Sequence, residues 1–141
     1  AALGADVVVG PEEFGAHGPF DVILELVGAP NLGADVNALA TLGRIMVIGI
    51  GAGAKGELNL AVLMAKRGRI LGSVMRARPL EQKAAMSRAL EHAVLPAFGR
   101  GELRVPVAVE FGLDDAVAAY QHFAAGGKLG KVVLTMGGDA Q

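Results

Sequence analysis

The residues best suited to chemistry lie at the ends of apolar runs. Glu25 interrupts the run 20–27. Because an unpaired buried charge is costly, we expect its carboxyl group to be neutral, paired, or bonded to loop amides at the wet mouth of a sheet. Gly28, Gly49-Ile50-Gly51 and Ser73–Met75 follow successive apolar runs. Loops with glycine at such positions admit a bulky ligand close to the backbone, but they also form simple tight turns.

Other reactive side chains give weaker signals. His17, His92 and His122 lack the spacing of metal ligands, which favours surface or capping roles for all three. Neither serine lies in a Gly-x-Ser-x-Gly elbow, so nucleophilic hydrolysis has no support. The basic residues of segment 66–78 could meet phosphates, although such residues more often solvate an edge or favour a helix C-terminus. These residue types predict no catalytic side chain and no metal ligand.

The composition excludes several classes of protein. The 141 residues include 13 Lys and Arg against 14 Asp and Glu, a net charge of −1, and 52% are hydrophobic, enough for a sizeable core. The absence of cysteine excludes disulfide scaffolds, thiolate nucleophiles and iron–sulfur clusters within these residues.

Charge and hydropathy also restrict the partners. The near-zero net charge and the few aromatic residues disfavour nucleic-acid binding. No apolar run reaches the roughly 20 residues that a membrane-spanning helix needs. Residues 1–9 lack the charged start of a signal peptide. We therefore expect a cytoplasmic protein that binds neither a membrane nor a nucleic acid.

Hydrophobic periodicity predicts a parallel α/β sheet. The predicted strands are 7–9, 20–27, 44–48 and 69–75, and the predicted helices are 32–42, 58–67 and 79–95. The second and third strands are near-continuous apolar runs, which predicts burial on both faces and therefore parallel pairing. Asn31 and Gly43 are predicted to cap the first helix, and Pro79 and Pro96 to bound the third. Further along the chain we expect an extended segment over 105–111, a helix over 114–125 and a strand over 131–136.

Four blocks of the sequence resemble the medium-chain dehydrogenase/reductase superfamily. They are FDVILELVG at 20–28, GRIMVIG at 43–49, LNLAVLMAKRGRILGSVMRAR at 58–78 and GKVVL at 130–134. Within the superfamily, segment 63–83 followed by 92–95 is most similar to NAD(P)H quinone oxidoreductases of the tumour-suppressor-inducible subgroup. The resemblance covers nearly the whole chain, and its blocks fall in the family's order.

This resemblance implies an α/β fold with a Rossmann-type parallel sheet, in which the family's strand order is 3-2-1-4-5-6. Residues 1–104 would form the C-terminal part of the dinucleotide-binding domain. Residues 105–141 would form a C-terminal helix and strand segment of a GroES-like substrate domain. The first βαβ unit, with its glycine-rich pyrophosphate loop, has no counterpart here, so the predicted sheet is incomplete. The sequence resembles the C-terminal portion of a longer enzyme.

The same resemblance implies a nicotinamide cofactor, NADPH or NADH. Its contacts, carried over by position, are Gly28, Ala29, Ile48, Gly49, Ile50, Gly51, Ser73, Val74, Met75 and Lys131. The loops after the family's fourth and fifth strands approach the nicotinamide half, Ser73–Met75 offer backbone groups to its carboxamide, and Lys131 is a candidate for the phosphates. A bulky residue at Gly49 is predicted to weaken cofactor binding more than stability. Pro11 stands where many relatives carry a tyrosine beside the adenine, which leaves the choice between NADPH and NADH open.

Relatives in this subgroup lack catalytic zinc and reduce quinones or activated alkenes by hydride transfer from the cofactor. We expect the same activity of the parent enzyme and none of this chain alone. We also expect a homodimer through the edge strand 69–75, because the family pairs such edges into one continuous sheet. Two alternatives stay open. One is a zinc-dependent alcohol dehydrogenase whose metal ligands lie upstream, and the other is a non-catalytic, dimerising nucleotide-binding module.

Overall fold

The computed structural model describes residues 3–136, which fold into two compact units. The first unit extends to Arg78, and the second begins at Pro79. The expected domain boundary after residue 104 concerns the longer enzyme of the resemblance, and it stays a prediction. In both units, parallel strands are joined by helices, as the periodicity predicts.

The first unit is a three-stranded parallel sheet with helices between its strands. Its elements are strand β1 (Phe20–Glu25), helix α1 (Leu32–Ala38), strand β2 (Leu39–Val47), helix α2 (Leu60–Lys66) and strand β3 (Arg69–Gly72), with 3-10 turns at Phe14–His17 and Ala29–Asn31. The strand order β1-β2-β3 agrees with the consecutive fourth, fifth and sixth strands that the resemblance implies. Because the strands are parallel, the loops that follow them meet at one edge of the sheet.

Within the first unit, the described helices α1 and α2 cover only one face of this sheet. Val36, Leu39 and Ile45 are fully buried and form the core. Successive side chains of a strand point to opposite faces, and the other face of β1 stays open, with Val22 49% and Leu24 58% exposed. The prediction that these strands are buried on both faces is therefore wrong within this unit. The reason is that α1 and α2 both pack against the core side of β2.

The predicted strand over 7–9 does not form. Residues 7–10 have no regular secondary structure, and Val7 and Val8 are 60% and 69% exposed. A strand needs a neighbour to satisfy its backbone hydrogen bonds. In the family, the first and second strands separate this segment from the strand that corresponds to β1. No strand of the described residues lies beside it, so this apolar run has no ladder to join.

Strand β2 begins earlier than predicted. Helix α1 ends at Ala38 rather than at residue 42, and β2 starts at once with Leu39. Its first residues are irregular: Leu42 has a φ of 65°, and the register with β1 shifts at this point. Residues 39–42 therefore belong to β2, because pairing with β1 outweighs a local pattern that favours a helix.

Two further predictions about element ends are wrong, and a third is confirmed in position only. Gly43 caps no helix, because it lies inside β2, where a Cβ would collide with the Leu39 side chain. Asn31 occupies the predicted N-cap position of α1, but its side-chain amide donates to Glu25 and makes no capping hydrogen bond. Strand β3 stops at Gly72 rather than at residue 75, because β2, its neighbour in the sheet, ends at the paired residue.

The second unit has a pair of helices followed by a β-α-β segment. Its elements are helices α3 (Leu80–Ala93) and α4 (Leu95–Gly99), strand β4 (Val107–Gly112), helix α5 (Ala116–Ala124) and strand β5 (Lys131–Thr135), with a 3-10 turn at Leu113–Asp115. Strands β4 and β5 pair in parallel, which confirms the extended segment, helix and strand predicted for 105–136. Contrary to the prediction, Pro96 does not end α3. It lies in the first turn of α4, where a missing N–H breaks no helical hydrogen bond.

Candidate functional site

The loops after β1 and β2 are joined by backbone hydrogen bonds. The amide of Ala29 donates to the carbonyl of Gly53 over 2.9 Å, and the amide of Ala52 donates to that of Val27 over 2.9 Å. Gly28 and Gly53 also form an isolated parallel bridge. The two loops therefore form one connected wall at the carboxyl ends of the strands, which is where open α/β sheets bind ligands.

Two glycines are required by this contact between loops. A Cβ at Gly28 would lie 2.5 Å from the carbonyl oxygen of Gly53, and a Cβ at Gly49 would lie 1.9 Å from that of Leu26. Gly28 also has a φ of 118°, a conformation that favours glycine. At Gly51, by contrast, a Cβ would meet no atom within 4 Å. Gly49 therefore serves the packing of the turn, and only Gly51 leaves open space beside the loop.

Glu25 holds the loop that follows β1. The residue is 4% exposed, and its carboxylate accepts hydrogen bonds from the amides of Val27 and Gly28, the latter over 2.6 Å, and from Asn31 Nδ2 over 3.1 Å. Burial raises the pKa of Glu25, but hydrogen bonds from the two amides, from Asn31 and from Asp35 outweigh it and lower the pKa below its ordinary value. The expectation of a carboxylate bonded to loop amides is confirmed.

Asp35 is a site residue that the sequence patterns did not reveal. It lies on α1, is 2% exposed, and lines the same hollow as Glu25. Burial, hydrogen bonding with Glu25 and the negative charge of Glu25 together raise the pKa of Asp35 to about 7. Its Oδ2 atom has no hydrogen-bond partner among the described residues. The sequence does carry one signal that could have revealed it, because Asp35 is an acidic residue in a short helix that must pack on an apolar strand.

The loop after β3 is held largely by a side chain. The amide of Ser73 donates to the carbonyl of Val47 over 3.1 Å, and Nη2 of Arg78 donates to Ser73 Oγ over 2.7 Å. The Arg78 amide also donates to the carbonyl of Met75 over 3.2 Å. Within residues 3–136, the amides of Val74 and Met75 have no acceptor. These two amides are therefore available to a bound ligand.

Two adjoining hollows open between the three loops and share Val47 and Ile50 in their walls. One, of about 380 Å³, lies beside the joined loops after β1 and β2. The other, of about 350 Å³, lies between the ends of β2 and β3. The predicted cofactor residues that line these hollows are Gly28, Ala29, Ile48, Ile50, Ser73 and Val74.

The other four predicted contact residues have different surroundings. Gly49 packs against Leu26, Gly51 adjoins open space, and Met75 continues the loop after β3. Lys131 begins β5 in the second unit, where it is exposed and its amide donates to the carbonyl of Pro106. The first unit thus contains all the predicted contacts except Lys131, whose role stays a prediction.

Two kinds of feature are missing from the part of the chain that the structure describes. Across residues 3–136, no group of three or more histidine, aspartate or glutamate side chains is arranged to hold a metal ion. The same range contains no helix that is both long and apolar enough to cross a membrane. Helix α3, for example, has 14 residues, where a span needs about 20.

Comparison with known proteins shows the family of this chain. Residues 3–134 match the zinc-binding dehydrogenase family, and the chain belongs to it. The match includes both compact units. Among curated proteins, none matches the sequence.

Solved dehydrogenase structures share the fold. A thermostable alcohol dehydrogenase from Pyrobaculum aerophilum, solved with cobalt and zinc bound, is 25% identical over 94% of this chain, with a TM-score of 0.74. An NAD-dependent alcohol dehydrogenase is 29% identical over 96% of it, with a TM-score of 0.72. This chain spans 37% and 39% of the length of those two proteins. The predicted Rossmann-like α/β fold of a medium-chain dehydrogenase is confirmed.

Proposed function

We propose that the loops after β1, β2 and β3 line the nicotinamide half of a cofactor cleft. The observation that carries this proposal is the pair of adjoining hollows at the carboxyl ends of three parallel strands, where open α/β sheets bind dinucleotides. The parent enzyme is then an oxidoreductase that uses NADPH or NADH. The NAD-dependent alcohol dehydrogenase, at 29% identity, supports a nicotinamide cofactor for this chain.

The groups that line the hollows fit a nicotinamide ring. Val74 and Met75 present amides without acceptors, which suit the oxygen of the ring's carboxamide. Ile50 lines both hollows and offers an apolar wall to a planar ring. The open space at Gly51 lets the rest of the cofactor pass close to the backbone. The bound cofactor supplies the hydride, and the protein holds the ring, orients it and excludes water.

The proposed hydride acceptor is a quinone or an activated alkene. Support comes from the similarity of segments 63–83 and 92–95 to quinone oxidoreductases that work without zinc. No side chain of this chain is assigned a catalytic role, because the cofactor itself carries the hydride chemistry. Oxidation of NADPH or NADH by the parent enzyme, with a series of quinones and enones as acceptors, tests this assignment. Failure of all acceptors would contradict it.

A second candidate function is zinc-dependent alcohol oxidation. It is favoured by the family match and by the Pyrobaculum aerophilum enzyme, which was solved with cobalt and zinc bound. Residues 3–136 contain no metal-binding cluster. The zinc ligands would therefore lie outside these residues. Metal analysis of the parent enzyme separates the two candidates. Stoichiometric zinc with alcohol-dependent reduction of the cofactor would favour the second.

We also propose that two copies associate through β3. This strand is at the edge of the sheet formed by the described strands, and its Leu71 is 40% exposed. An unpaired apolar edge strand can extend a sheet by pairing with a second copy. Light scattering tests the assembly. A monomer that still binds NADPH would contradict both this dimer and the alternative of a non-catalytic dimerising module.

Titration of NADPH or NADH into the 141-residue protein tests the cofactor cleft directly. We expect saturable binding, followed by the fluorescence of the reduced nucleotide, and we expect Gly51→Val to weaken it. Gly99→Val is the matched control, because a Cβ at Gly99 also meets no atom within 4 Å but lies in the second unit. No binding of either nucleotide would mean that these loops form no usable half-site.

A further inference from the structure

A buried pair of carboxyl groups lies behind the loop that follows β1. Glu25 is 4% exposed, Asp35 is 2% exposed, and both line one hollow of about 220 Å³. An ionised carboxylate can only accept hydrogen bonds, so a hydrogen bond between the two groups requires a proton on one of them. Two negative charges in contact and shielded from water would repel each other strongly.

The hydrogen-bond partners show which group holds the proton. Glu25 has three donors that stabilise its ionised form. They are the amides of Val27 and Gly28 and Nδ2 of Asn31. Asp35 Oδ2 has no partner in the described part of the chain, so an ionised Asp35 has little to stabilise it. The shared proton therefore belongs to Asp35, in agreement with its pKa of about 7.

Among the residues that the structure describes, no positive charge shifts the pKa of either carboxyl group. The elements packed against α1 carry His17, Arg44 and Lys66, and no ion pair joins any of these three to Asp35. The Lys66 ammonium instead donates to two backbone carbonyls at the junction of α1 and β2. The charge that acts on Asp35 is that of Glu25. Loss of the Asp35 proton would therefore leave two facing anions without a counter-ion.

We propose that Asp35 is a positioning residue of the cofactor site: its proton keeps the Glu25 carboxylate on the loop amides, and loss of that proton releases the loop. The loop carries Gly28, which pairs with Gly53 in the loop after β2, so the change reaches the wall of the larger hollow. Affinity for the cofactor then falls as the pH rises through neutrality. This inference rests on the proposed function, because the loop matters for binding only if it lines a cofactor cleft.

NMR of the 141-residue protein tests the pair without any ligand. The side-chain carboxyl signals of Asp35 and Glu25 and the amide signals of Val27 and Gly28 are followed as the pH rises through neutrality. We expect the Asp35 carboxyl and both amides to titrate together with a midpoint near 7. Asp35→Asn replaces the protonated acid with a permanent donor, so it should remove the transition from both amides.

Cofactor titrations at pH 6 and pH 8 test the consequence for binding. If only the protonated form binds, the apparent Kd for NADPH rises about tenfold between these pH values. Asp35→Asn should show no such rise. At each pH, the Kd of the wild type is divided by the Kd of Asp35→Asn, because this ratio cancels the effect of the nucleotide phosphate's own titration. Asp21→Asn removes an exposed aspartate from β1, the strand that carries Glu25. This charge-matched control should keep the tenfold change.

Amides of Val27 and Gly28 that show no pH transition would overturn the inference, whether or not NADPH binds. Equal pH dependence of NADPH binding in the wild type and Asp35→Asn would also overturn it. If Asp35→Asn does not fold, the wild-type titration of carboxyl and amides decides alone. Coupled titration without binding of NADPH or NADH at any pH would overturn the proposed function, and with it the link between the carboxyl pair and a cofactor.

Discussion

Two regions at the same edge of the sheet are stabilised in different ways. The loops after β1 and β2 are joined by backbone hydrogen bonds. Their backbones approach so closely that a glycine such as Gly49 has no room for a side chain. The loop after β3 has a backbone bond to the sheet from Ser73, and the side chain of Arg78 donates a hydrogen bond to Ser73 Oγ. The first region is therefore sensitive to a side chain added at Gly28 or Gly49, and the second to the loss of one guanidinium group.

Glycine has two different roles in these loops, and the sequence pattern alone does not distinguish them. Gly49 and Gly51 lie two residues apart, yet the backbone of Leu26 occupies the side-chain position of the first, and open space lies beside the second. A Cβ at Gly49 would meet the backbone of Leu26 and not the cofactor space, so the structure favours a loss of stability there over a selective loss of binding. The glycine at which a side chain would reach the cofactor space is Gly51.

The largest expected effect is on the joined loops. Gly49→Val would place a Cβ 1.9 Å from the carbonyl oxygen of Leu26, a contact with backbone that no rotamer change can relieve. We expect the free energy of unfolding, measured by urea denaturation, to fall by more than about 3 kcal/mol. Gly99→Val, in the second unit, serves as the control. Unchanged stability of Gly49→Val would contradict the packing role of this glycine.

The next effect is a loss of stability with rising pH. The pKa of Asp35 is raised from its ordinary 3.8 to about 7, so the folded chain keeps a proton that the unfolded chain has lost in this range. The stabilising contribution is complete below pH 3.8 and is lost as the pH rises through about 7. The lowered pKa of Glu25 has the opposite effect, because its contribution to stability is lost as the pH falls. This loss is confined to pH values below 4.5, the ordinary pKa of the group.

We therefore expect the free energy of unfolding to fall by up to about 3 kcal/mol between pH 4.5 and pH 7, and then to level off. Urea denaturation at a series of pH values measures the slope. Asp35→Asn should flatten the slope, and Asp21→Asn should preserve it. A wild-type slope no steeper than that of Asp35→Asn would show that the carboxyl pair does not share a proton.

A smaller and more selective effect is expected at Gly51. Gly51→Val adds a side chain to open space, so it should leave the free energy of unfolding within about 0.5 kcal/mol of the wild type. Its affinity for NADPH should fall about tenfold, which corresponds to about 1.4 kcal/mol. Nucleotide fluorescence and urea denaturation on the same protein measure both quantities. Full affinity in Gly51→Val would place the cofactor away from this loop.

The smallest expected effect concerns the loop after β3. Arg78→Ala removes the hydrogen bond to Ser73, which should weaken NADPH binding by about 1 kcal/mol with little change in unfolding. Ser73→Ala should have a similar effect, and the double variant should be no worse than either single one, because both changes remove the same contact. Additive losses in this double-mutant cycle would contradict the coupling of the two residues.

Local sequence patterns predicted the strands better than their ends. Strands β1 and β3 lie inside the predicted runs 20–27 and 69–75, because a mostly apolar run between turn residues favours a strand. The start of β2 was not predicted, because pairing with β1 overrides the local helical pattern after Ala38. Segment 7–9 has strand-forming residues but no partner strand. The limits of each element thus depend on neighbours that are distant in sequence.

By itself, the sequence determined the parallel α/β class and a carboxylate at the end of the first strand that binds loop amides. Apolar periodicity and the cost of a buried charge are local properties, and Glu25 lies only two and three residues before the amides it binds. The meeting of Asp35 with Glu25, and the difference between Gly49 and Gly51, were decided only by the tertiary structure. The physical reason is that shared protons and steric exclusion depend on atoms within a few ångströms, which separate elements bring together only when they pack.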